Sequence, residues 1–404
     1  MYELTFKLIA LYAIKFILIS LTSITFIVCL FFLLECLTAV ISKNFPVYKG
    51  KWQDTKITVL IPAHNEEISI ASTLKTIIPV LKKQDDVVVV ADNCSDKTAE
   101  IASSVGATVI ERFHSTNKGK GYALDYGLQY MEAEPPDVVI IIDADCKVEQ
   151  GAIEQLTECS IATNRPVQGS YLMIKPNNSQ SSKDFVSQFS IIVRNFVRPL
   201  GLKRLGVPSP LLGTGMAFPF AVIRSVNVAS GNLLEDIKLG LDLNLTGYKP
   251  IFYPQARVTA YLPSSSSAAK SQKTRWIHGH LQIIQTYIPT LLKQAILQKR
   301  FDLLPSILDL CIPPLTLAVM TWWGLMTISL IFAFFQGFWM PAIFSLIAGL
   351  CLFAGLFLAW AKFAIKLIPL DKLLAVPLYV LGKIPVYFKF IVAPQKAWVR
   401  TERD

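Results

Sequence analysis

A doubly wound α/β layer carried between membrane-spanning helices is the architecture predicted for this chain of 404 residues, and three observations predict it. Long uncharged blocks lie toward both ends, short β-rich runs alternate with helical patterns between them, and those runs end in carboxylates and amides. The composition agrees, since 52% of residues are apolar and 17% charged, which excludes disorder. At roughly 150 residues per unit, the length allows two or three units.

The first block has no charge from Phe16 to Leu34 and continues past Glu35 to Ser42. A hydrocarbon core of about 30 Å takes roughly 20 helical residues, so residues 1–42 read as an N-terminal transmembrane helix. A signal peptide has an apolar region of only about 7–15 residues and a small-residue cleavage site, which does not fit this run. No charge occurs between Asp309 and Lys362, and residues 309–361 read as a hairpin of two spans turning between Phe334 and Pro341. Lys43, Lys49 and Lys51 follow the first block; Lys362, Lys366, Lys372, Lys383, Lys389, Lys396, Arg400 and Arg403 follow the last. By the positive-inside rule, the middle region and the C-terminus then face the cytosol of a multi-pass protein in the plasma (inner) membrane.

The apolar stretch from Leu373 to Ala393 is broken by Pro377, Lys383, Pro385 and Lys389. Residues 362–404 therefore read as a basic segment lying on anionic lipid rather than a fourth span. Much of the net charge of +10 is accounted for in this way, and a nucleic-acid partner is not expected. Seven cysteines without a C-x-x-C pair argue for a reducing compartment and against a disulfide scaffold or structural zinc.

In the middle region, residues 43–266, the strand candidates are Ile57 to Ile61, Asp86 to Ala91, Ala107 to Arg112 and Val138 to Ile142. Crossover helices fit Glu67 to Leu81, Asp96 to Ser104 and Lys120 to Met131. Runs such as VVVV and VVIII lack polar alternation, as parallel strands covered on both faces do. Ligands of such sheets sit beyond the carboxyl ends of the strands. The first strand is followed by Pro62, Ala63, His64, Asn65 and Glu66, the second by Asp92, Asn93, Cys94 and Ser95, the fourth by Asp143, Ala144 and Asp145. Asn65 and Asp96 are also helix-cap residue types and Ser95 a turn former. Capping leaves the Asp143-Ala144-Asp145 pair unexplained, whereas a hard divalent cation, Mg²⁺ or Mn²⁺, takes such carboxylates together with substrate phosphates.

No dinucleotide fingerprint or P-loop is present. Asn117 to Gly121 opens a helix and reads as an anion nest or a solvated basic turn. His278 and His280, two apart in a helical stretch, point to different faces and do not form a metal pair. Apolar residues at helical spacing from Gln272 to Leu297 indicate an amphipathic helix, within an interfacial unit 267–308, that meets the bilayer or packs on the α/β layer.

The series ITVLIPAHNEE, VVVVADNCSDKTAE, NKGKGYAL, VVIIIDADC, LLGTGMAF, NLLEDIKLGLDL and QKTRW, in that order between membrane blocks, resembles the membrane-embedded inverting family 2 glycosyltransferases. The likeness is to the branch of cellulose, hyaluronan and poly-N-acetylglucosamine synthases and related exopolysaccharide enzymes. It implies a GT-A nucleotide-sugar domain, a UDP-sugar donor, a Mg²⁺ or Mn²⁺ ion, and a glycan or lipid-linked acceptor. Residue by residue, it implies that Pro62, Ala63, Asn65, Glu66, Asp92, Asn93 and Ser95 border the nucleotide, with Lys118, Lys120 and Ala144 near it. Asp143 and Asp145 match the metal pair, and Asp236 the general base. Arg275 falls on the diphosphate side; Gly213, Thr214, Gly215, Glu235, Gln272 and Trp276 fall on the acceptor side.

Chemistry supports these roles independently. A leaving diphosphate must be neutralised, which a metal and a fixed guanidinium do. A carboxylate must take the proton of the attacking hydroxyl. Trp276 offers a flat face for a sugar ring, or an interfacial anchor, or both.

With three spans, export of a long polymer calls for a homo-oligomer or a partner subunit of a synthase and export complex. Transfer of a single sugar to a lipid-linked acceptor is the alternative. A nucleotidyltransferase-like or sugar-nucleotide-hydrolysing enzyme would explain Asp143 and Asp145 but leave Glu235, Asp236 and the segment Gln272 to Trp276 without a task. A non-catalytic membrane partner of a synthase would be expected to have lost an acidic motif, and all are intact here.

Overall fold

The computed structural model describes residues 2–41, 45–48, 51–174, 181–262, 266–373 and 376–393. The first uncharged block lies within one helix, α1 (Tyr2–Val40), whose stretch Thr5–Val40 is apolar enough to cross a membrane. At 1.5 Å per residue its 39 residues extend about 58 Å, well beyond a bilayer core. Lys43, Lys49, Lys396, Arg400 and Arg403, on which part of the orientation argument rests, lie outside the described residues.

The parallel half of the α/β layer follows: β1 (Ile57–Ala63), α2 (Ile70–Ile77), β2 (Asp86–Asp92), α3 (Thr98–Ser104), β3 (Thr108–Arg112), α4 (Lys120–Met131) and β4 (Val138–Ile141). Each strand begins at the expected residue or one later. The central strand β1 pairs in parallel with both β2 and β4, so that Val59 faces Val87 on one side and Ile140 on the other. Alternate residues of β1 enter different cores: Val59 and Ile61 pack with Ile70 and Leu74, Leu60 with Leu124 and Leu128. Burial on both faces is why these strands carry no polar alternation. The helix expected over 67–81 is shorter, because Asn65 takes φ +54° and the Glu66 carbonyl accepts the N–H groups of Ser69 and Ile70, making a turn first.

Beyond β4 the sheet departs from a purely doubly wound layer. The next elements are β5 (Cys146–Val148), α5 (Ala152–Thr163), β6 (Val167–Ile174), α6 (Ser182–Ile192), a π-helical turn over Val193–Val197, α7 (Arg198–Leu205), β7 (Met216–Pro219), α8 (Phe220–Ile223), α9 (Glu235–Leu245) and β8 (Ile251–Tyr261). The eight strands run in the order β3-β2-β1-β4-β7-β6-β8-β5. β7 is antiparallel to β4 and β6, β8 parallel to β6, and β5 antiparallel to β8. A mixed half of this kind folds the chain back across the carboxyl rim of the parallel half.

The C-terminal third holds α10 (Ser266–Leu297), α11 (Leu304–Cys311), α12 (Leu315–Gln336), α13 (Met340–Ala359), α14 (Leu370–Leu373), α15 (Val376–Leu381) and α16 (Ile384–Val392). Together with α1, the segments Leu315–Gln336 and Met340–Ala364 make three helices long and apolar enough to cross a membrane among the described residues. Large apolar side chains such as Phe334 and Phe335 stand exposed on them, as lipid-facing residues do. The segment read as interfacial is broken into helices of six and nine residues, and α16 packs on α10 through the His278 Nε2 contact to the Val386 carbonyl at 3.1 Å.

The membrane-length helices are tied to the α/β layer by close backbone approach and by buried charge. A Cβ at Gly201 of α7 would lie 2.1 Å from the Glu35 carbonyl oxygen of α1. Glu35, fully buried in α1, accepts from Arg198 Nε at 2.9 Å, and Arg198 donates its other end to the Asp309 carboxylate of α11 at 2.5 Å. Arg204 caps α1, donating to the carbonyls of Thr38 and Ala39 at 2.7 Å each.

Candidate active site

The ends of β1, β2 and β4 converge on a cavity of about 360 Å³ whose opposite wall is built from α9 and α10. Pro62 and Ala63 at the end of β1 with Glu66 beyond it, and Asp92 at the end of β2 with Asn93 beyond it, form one end of it. Asp92 is buried, its Oδ1 accepting from Arg112 at 2.6 Å and from the Asn93 amide at 2.9 Å. The His64 ring contacts the Asp92 carbonyl at 2.6 Å and so joins the two strand ends. Asn65 and Ser95 do not line the cavity. The Asn65 amide oxygen accepts the Ser95 N–H at 2.7 Å, which makes this pair a brace between the loops after β1 and β2.

At the centre, Asp143 and Asp145 follow β4, and Lys120 reaches across from the first turn of α4. Its ammonium pairs with Asp143, donates to the Gly213 carbonyl at 2.5 Å and lies 3.8 Å from Glu235. Burial disfavours that charge, but Asp143 and Glu235 outweigh it and hold the Lys120 pKa above its ordinary value. The segment Asn117 to Gly121, read as an anion nest or a solvated basic turn, thus directs its Lys120 ammonium into the rim. Lys120 is committed to carboxylates, and Gly121 is required because a Cβ there would meet the Ser230 carbonyl at 2.6 Å. Lys118 lines the cavity beside it.

The loop before β7 holds this centre in place. Thr214 is fully buried and accepts the Asp143 N–H through its hydroxyl at 3.0 Å. Gly215 accepts from the Gly169 N–H at 2.8 Å. Gln168 of β6 binds both sides of the loop, its amide nitrogen donating to the Thr214 carbonyl at 2.9 Å and its oxygen accepting from Leu212 at 2.7 Å. Of the loop's Gly213, Thr214 and Gly215, only Gly213 lines the cavity. A Cβ on Gly213, at φ +92°, would sit 3.3 Å from Asp236 Oδ2 and 3.5 Å from Lys120 Nζ.

Glu235 and Asp236 open α9 and face the cavity from the first turn. Burial, and then the adjacent Asp236, push the Glu235 pKa up to about 7 despite Lys120. Burial also raises that of Asp236, against the pull of Arg194 and Lys120, while the Ile237 N–H donates to its Oδ1 at 2.8 Å. Gln272, Arg275 and Trp276 lie on one stretch of α10 and complete the wall. Arg275 Nε is buried and has no hydrogen-bond partner among the described residues, an orphaned donor on the wall that faces the carboxylate rim.

The structure therefore brings sixteen sequence-identified residues to one cavity: Pro62, Ala63, Glu66, Asp92, Asn93, Lys118, Lys120, Asp143, Ala144, Asp145, Gly213, Glu235, Asp236, Gln272, Arg275 and Trp276. It leaves Asn65, Ser95, Thr214 and Gly215 in supporting positions. Sequence reasoning passed over Tyr171 and Met173, which line the cavity from β6, and Arg194, whose guanidinium lies 5.5 Å from the centre of the Trp276 ring. β6 carries Gln, Gly and Ser among its apolar residues and gave no strand signal. Arg194 sits on a π-helical turn, a feature common near functional sites but invisible to helical periodicity.

The donor set fits a hard divalent cation. One ligand atom each from Asp143, Asp145 and Cys146 lie within 4.8 Å of one another. Burial, and then the two aspartates, keep the Cys146 thiol far above its ordinary pKa, so the hard oxygen donors are the two carboxylates.

The site thus sets carboxylates suited to a cation on one wall and a second acidic pair across the cavity. The profile of glycosyltransferase-like family 2 matches residues 54–279, more than half of the chain, and the chain belongs to that family. A probable glycosyltransferase of Bacillus subtilis (strain 168), YdaM, is 25% identical over 289 residues, 65% of this chain and 64% of the relative. Poly-beta-1,6-N-acetyl-D-glucosamine synthase of Staphylococcus aureus (strain COL) is 23% identical over 246 residues, 58% of this chain and 57% of the relative. This chain thus spans less than two thirds of the length of those relatives. Among solved structures, the mannosyltransferase PcManGT from Pyrobaculum calidifontis, in complex with GDP-Man and Mn²⁺, superposes with a TM-score of 0.54 at 17% identity over 86% of this chain and 97% of that one. The likeness shows a shared GT-A fold.

Proposed function

We propose that this glycosyltransferase moves a sugar from a UDP-sugar, with inversion, onto a glycan or lipid-linked acceptor in cell-surface or extracellular polysaccharide synthesis. The observation that carries the reading is the placement of two acidic pairs on opposite walls of one cavity, Asp143 with Asp145 and Glu235 with Asp236. The nucleotide end would be bordered by Ala63, Glu66 and Asp92, and the diphosphate would lie between Asp143, Asp145 and Arg275. A Mg²⁺ or Mn²⁺ ion held by Asp143 and Asp145 would neutralise the leaving diphosphate. Arg275 supports this with its orphaned donor, which a phosphate oxygen would satisfy.

Asp236 accepts the proton of the attacking hydroxyl in this reading. Its Oδ1 is fixed by the Ile237 N–H, and Gly213, with no side chain, leaves the space beside Oδ2 open. A raised pKa makes the carboxylate a stronger base than an exposed aspartate. Direct attack from that wall inverts the anomeric centre, so an α-linked donor gives a β-linked product. Trp276 supplies the flat face beside the acceptor.

The α/β domain and the basic C-terminal segment lie on the cytosolic side in this reading, with α1, α12 and α13 crossing the membrane. The S. aureus relative's name supports polysaccharide synthesis, and PcManGT's bound GDP-Man makes the nucleotide a point to test. Detergent-purified protein incubated with a panel of UDP-sugars and Mn²⁺ or Mg²⁺ should release UDP, competed by UDP and not by GDP. Asp236→Asn should lower turnover by about 10²–10⁴-fold, the usual contribution of a general base. Undiminished release in that variant, or no release with any UDP-sugar, would overturn the proposal. Lipid-extractable short products would indicate single transfer, and a high-mass ladder a processive synthase.

A further inference from the structure

Trp276 also lines a second cavity, of about 120 Å³, on the side of the membrane helices. Its wall contains four cationic side chains, Arg194, Arg198, Lys273 and Lys383, and no carboxylate. Arg198 is compensated by Glu35 and Asp309. Arg194 makes no hydrogen bond or ion pair among the described residues; it overlies Trp276 and is attracted by Asp236 of the first cavity. The ammonium groups of Lys273 and Lys383 stand 5.4 Å and 5.2 Å from the centre of the same Tyr379 ring. His280 Nε2 is buried in this region without a hydrogen-bond partner. Burial, and then Arg194 and Arg198, hold the His280 pKa down at about 3, so the imidazole is neutral and does not add to the charge. Ser187, Ser190 and Thr316 add hydroxyls, and the apolar part of the wall runs through Ile312 and Pro314 to Leu315, where α12 begins.

We propose that this cavity binds the anionic headgroup of an amphiphilic acceptor, a phosphate ester on a hydrocarbon tail, with Arg194 and Lys383 on the phosphate and the tail against the start of α12. The inference rests on the glycosyl-transfer reading, because the shared Trp276 is what sets the headgroup beside the donor cavity. A neutral glycan would leave Arg194 and Lys383 with no anion inside this cavity, and a free phosphate would make no use of its apolar part. Charge complementarity together with continuity to a membrane helix favours the amphiphile.

The test is native mass spectrometry of the full chain in detergent, with dodecyl phosphate, dodecanol and inorganic phosphate at matched concentrations. An adduct with dodecyl phosphate alone is expected, weakened at least tenfold in Arg194→Gln and in Lys383→Gln and recovered in large part in Arg194→Lys. Equal retention of dodecanol, binding of inorganic phosphate as strong as that of dodecyl phosphate, or an adduct indifferent to both glutamine variants would overturn the proposal. The readout needs no turnover. Failure of the glycosyl-transfer reading would show instead as absent UDP release with the adduct still formed.

Discussion

Replacing Lys120 by methionine removes the ammonium shared by Asp143, Glu235 and the Gly213 carbonyl. At 3.8 Å and an effective permittivity of about 20, its attraction to an ionised Glu235 is about 4 kcal/mol. Burial and the adjacent Asp236 raise the Glu235 pKa, so part of this attraction is lost to protonation at neutral pH. The direct pair with Asp143 adds to this, while the released desolvation of the ammonium subtracts. Deleting one partner of a buried pair costs about 3–5 kcal/mol, and the residual exposure of 17% for Lys120 and 28% for Asp143 puts the net at about 3 kcal/mol. At roughly 2–4 °C per kcal/mol, the midpoint of thermal unfolding in EDTA should fall by about 6–12 °C. Mn²⁺ with UDP should then raise the midpoint more in the variant than in the wild type, since the bound cation replaces the missing charge; at a hundredfold excess over Kd a ligand contributes about 2.7 kcal/mol. The assay is a thermal shift series with and without Mn²⁺ and UDP. A variant as stable as the wild type in EDTA, or one whose loss the cation does not reduce, would refute this account of the rim.

Two further substitutions, with Gly324→Val as a control, probe the buried carboxylate and the contact between α7 and α1. Glu235 has a folded pKa of about 7 against an ordinary 4.5, so between these values the folded state binds more protons and stability falls as pH rises through the window. Glu235→Gln in EDTA should therefore be more stable than the wild type at pH 8 and gain nothing at pH 4, and a difference that does not vary with pH would contradict the assignment. Gly201→Val places carbon where only 2.1 Å separates it from the Glu35 carbonyl, and overpacking of this sort costs at least 1–3 kcal/mol. Its unfolding midpoint and UDP release should fall together, while Gly324→Val, whose added Cβ meets nothing, changes neither; equal behaviour of the two would remove the role given to that contact.

What could be read in the sequence depended on how far each feature was local. β1 to β4 were legible because strands covered on both faces must be apolar throughout, and Asp143 and Asp145 stood out because neither capping nor turn chemistry explains them. The supporting roles of Asn65, Ser95 and Thr214 were not legible, because a side chain that binds a neighbouring loop and one that binds a ligand are the same residue type at the same strand end. β5 to β8 were missed for another reason. β5 and β7 have three and four residues, and β6 buries Gln168 and Ser170 at full depth by spending their polar atoms on backbone. Burial of polar groups with internal partners erases the hydrophobic pattern on which strand recognition rests. Glu35 illustrates the converse: in the sequence it merely interrupts an apolar run, whereas its partner Arg198 is 163 residues away.

That long-range pair bears on how the two cavities are coupled to the membrane helices. A carboxylate in an apolar helix is costly unless a cation meets it, so Glu35 holds α7 to α1 through Arg198, and Asp309 draws α11 to the same guanidinium. Close backbone approach at Gly201 and the Arg204 cap on the last carbonyls of α1 fix the direction of α7 as well as its distance. The π-helical turn Val193–Val197 runs directly into α7, and it carries Arg194 to the face of Trp276. One short segment, residues 193–204, therefore joins the first membrane-length helix to the residue that both cavities share. Displacing α1 relative to the α/β layer would carry Arg194 with it, and Arg194 also acts electrostatically on Asp236. The cavity wall at Trp276 is thus set by the same contacts that seat the α/β layer on its membrane-length helices, a physical reason for the two to be joined closely rather than merely tethered.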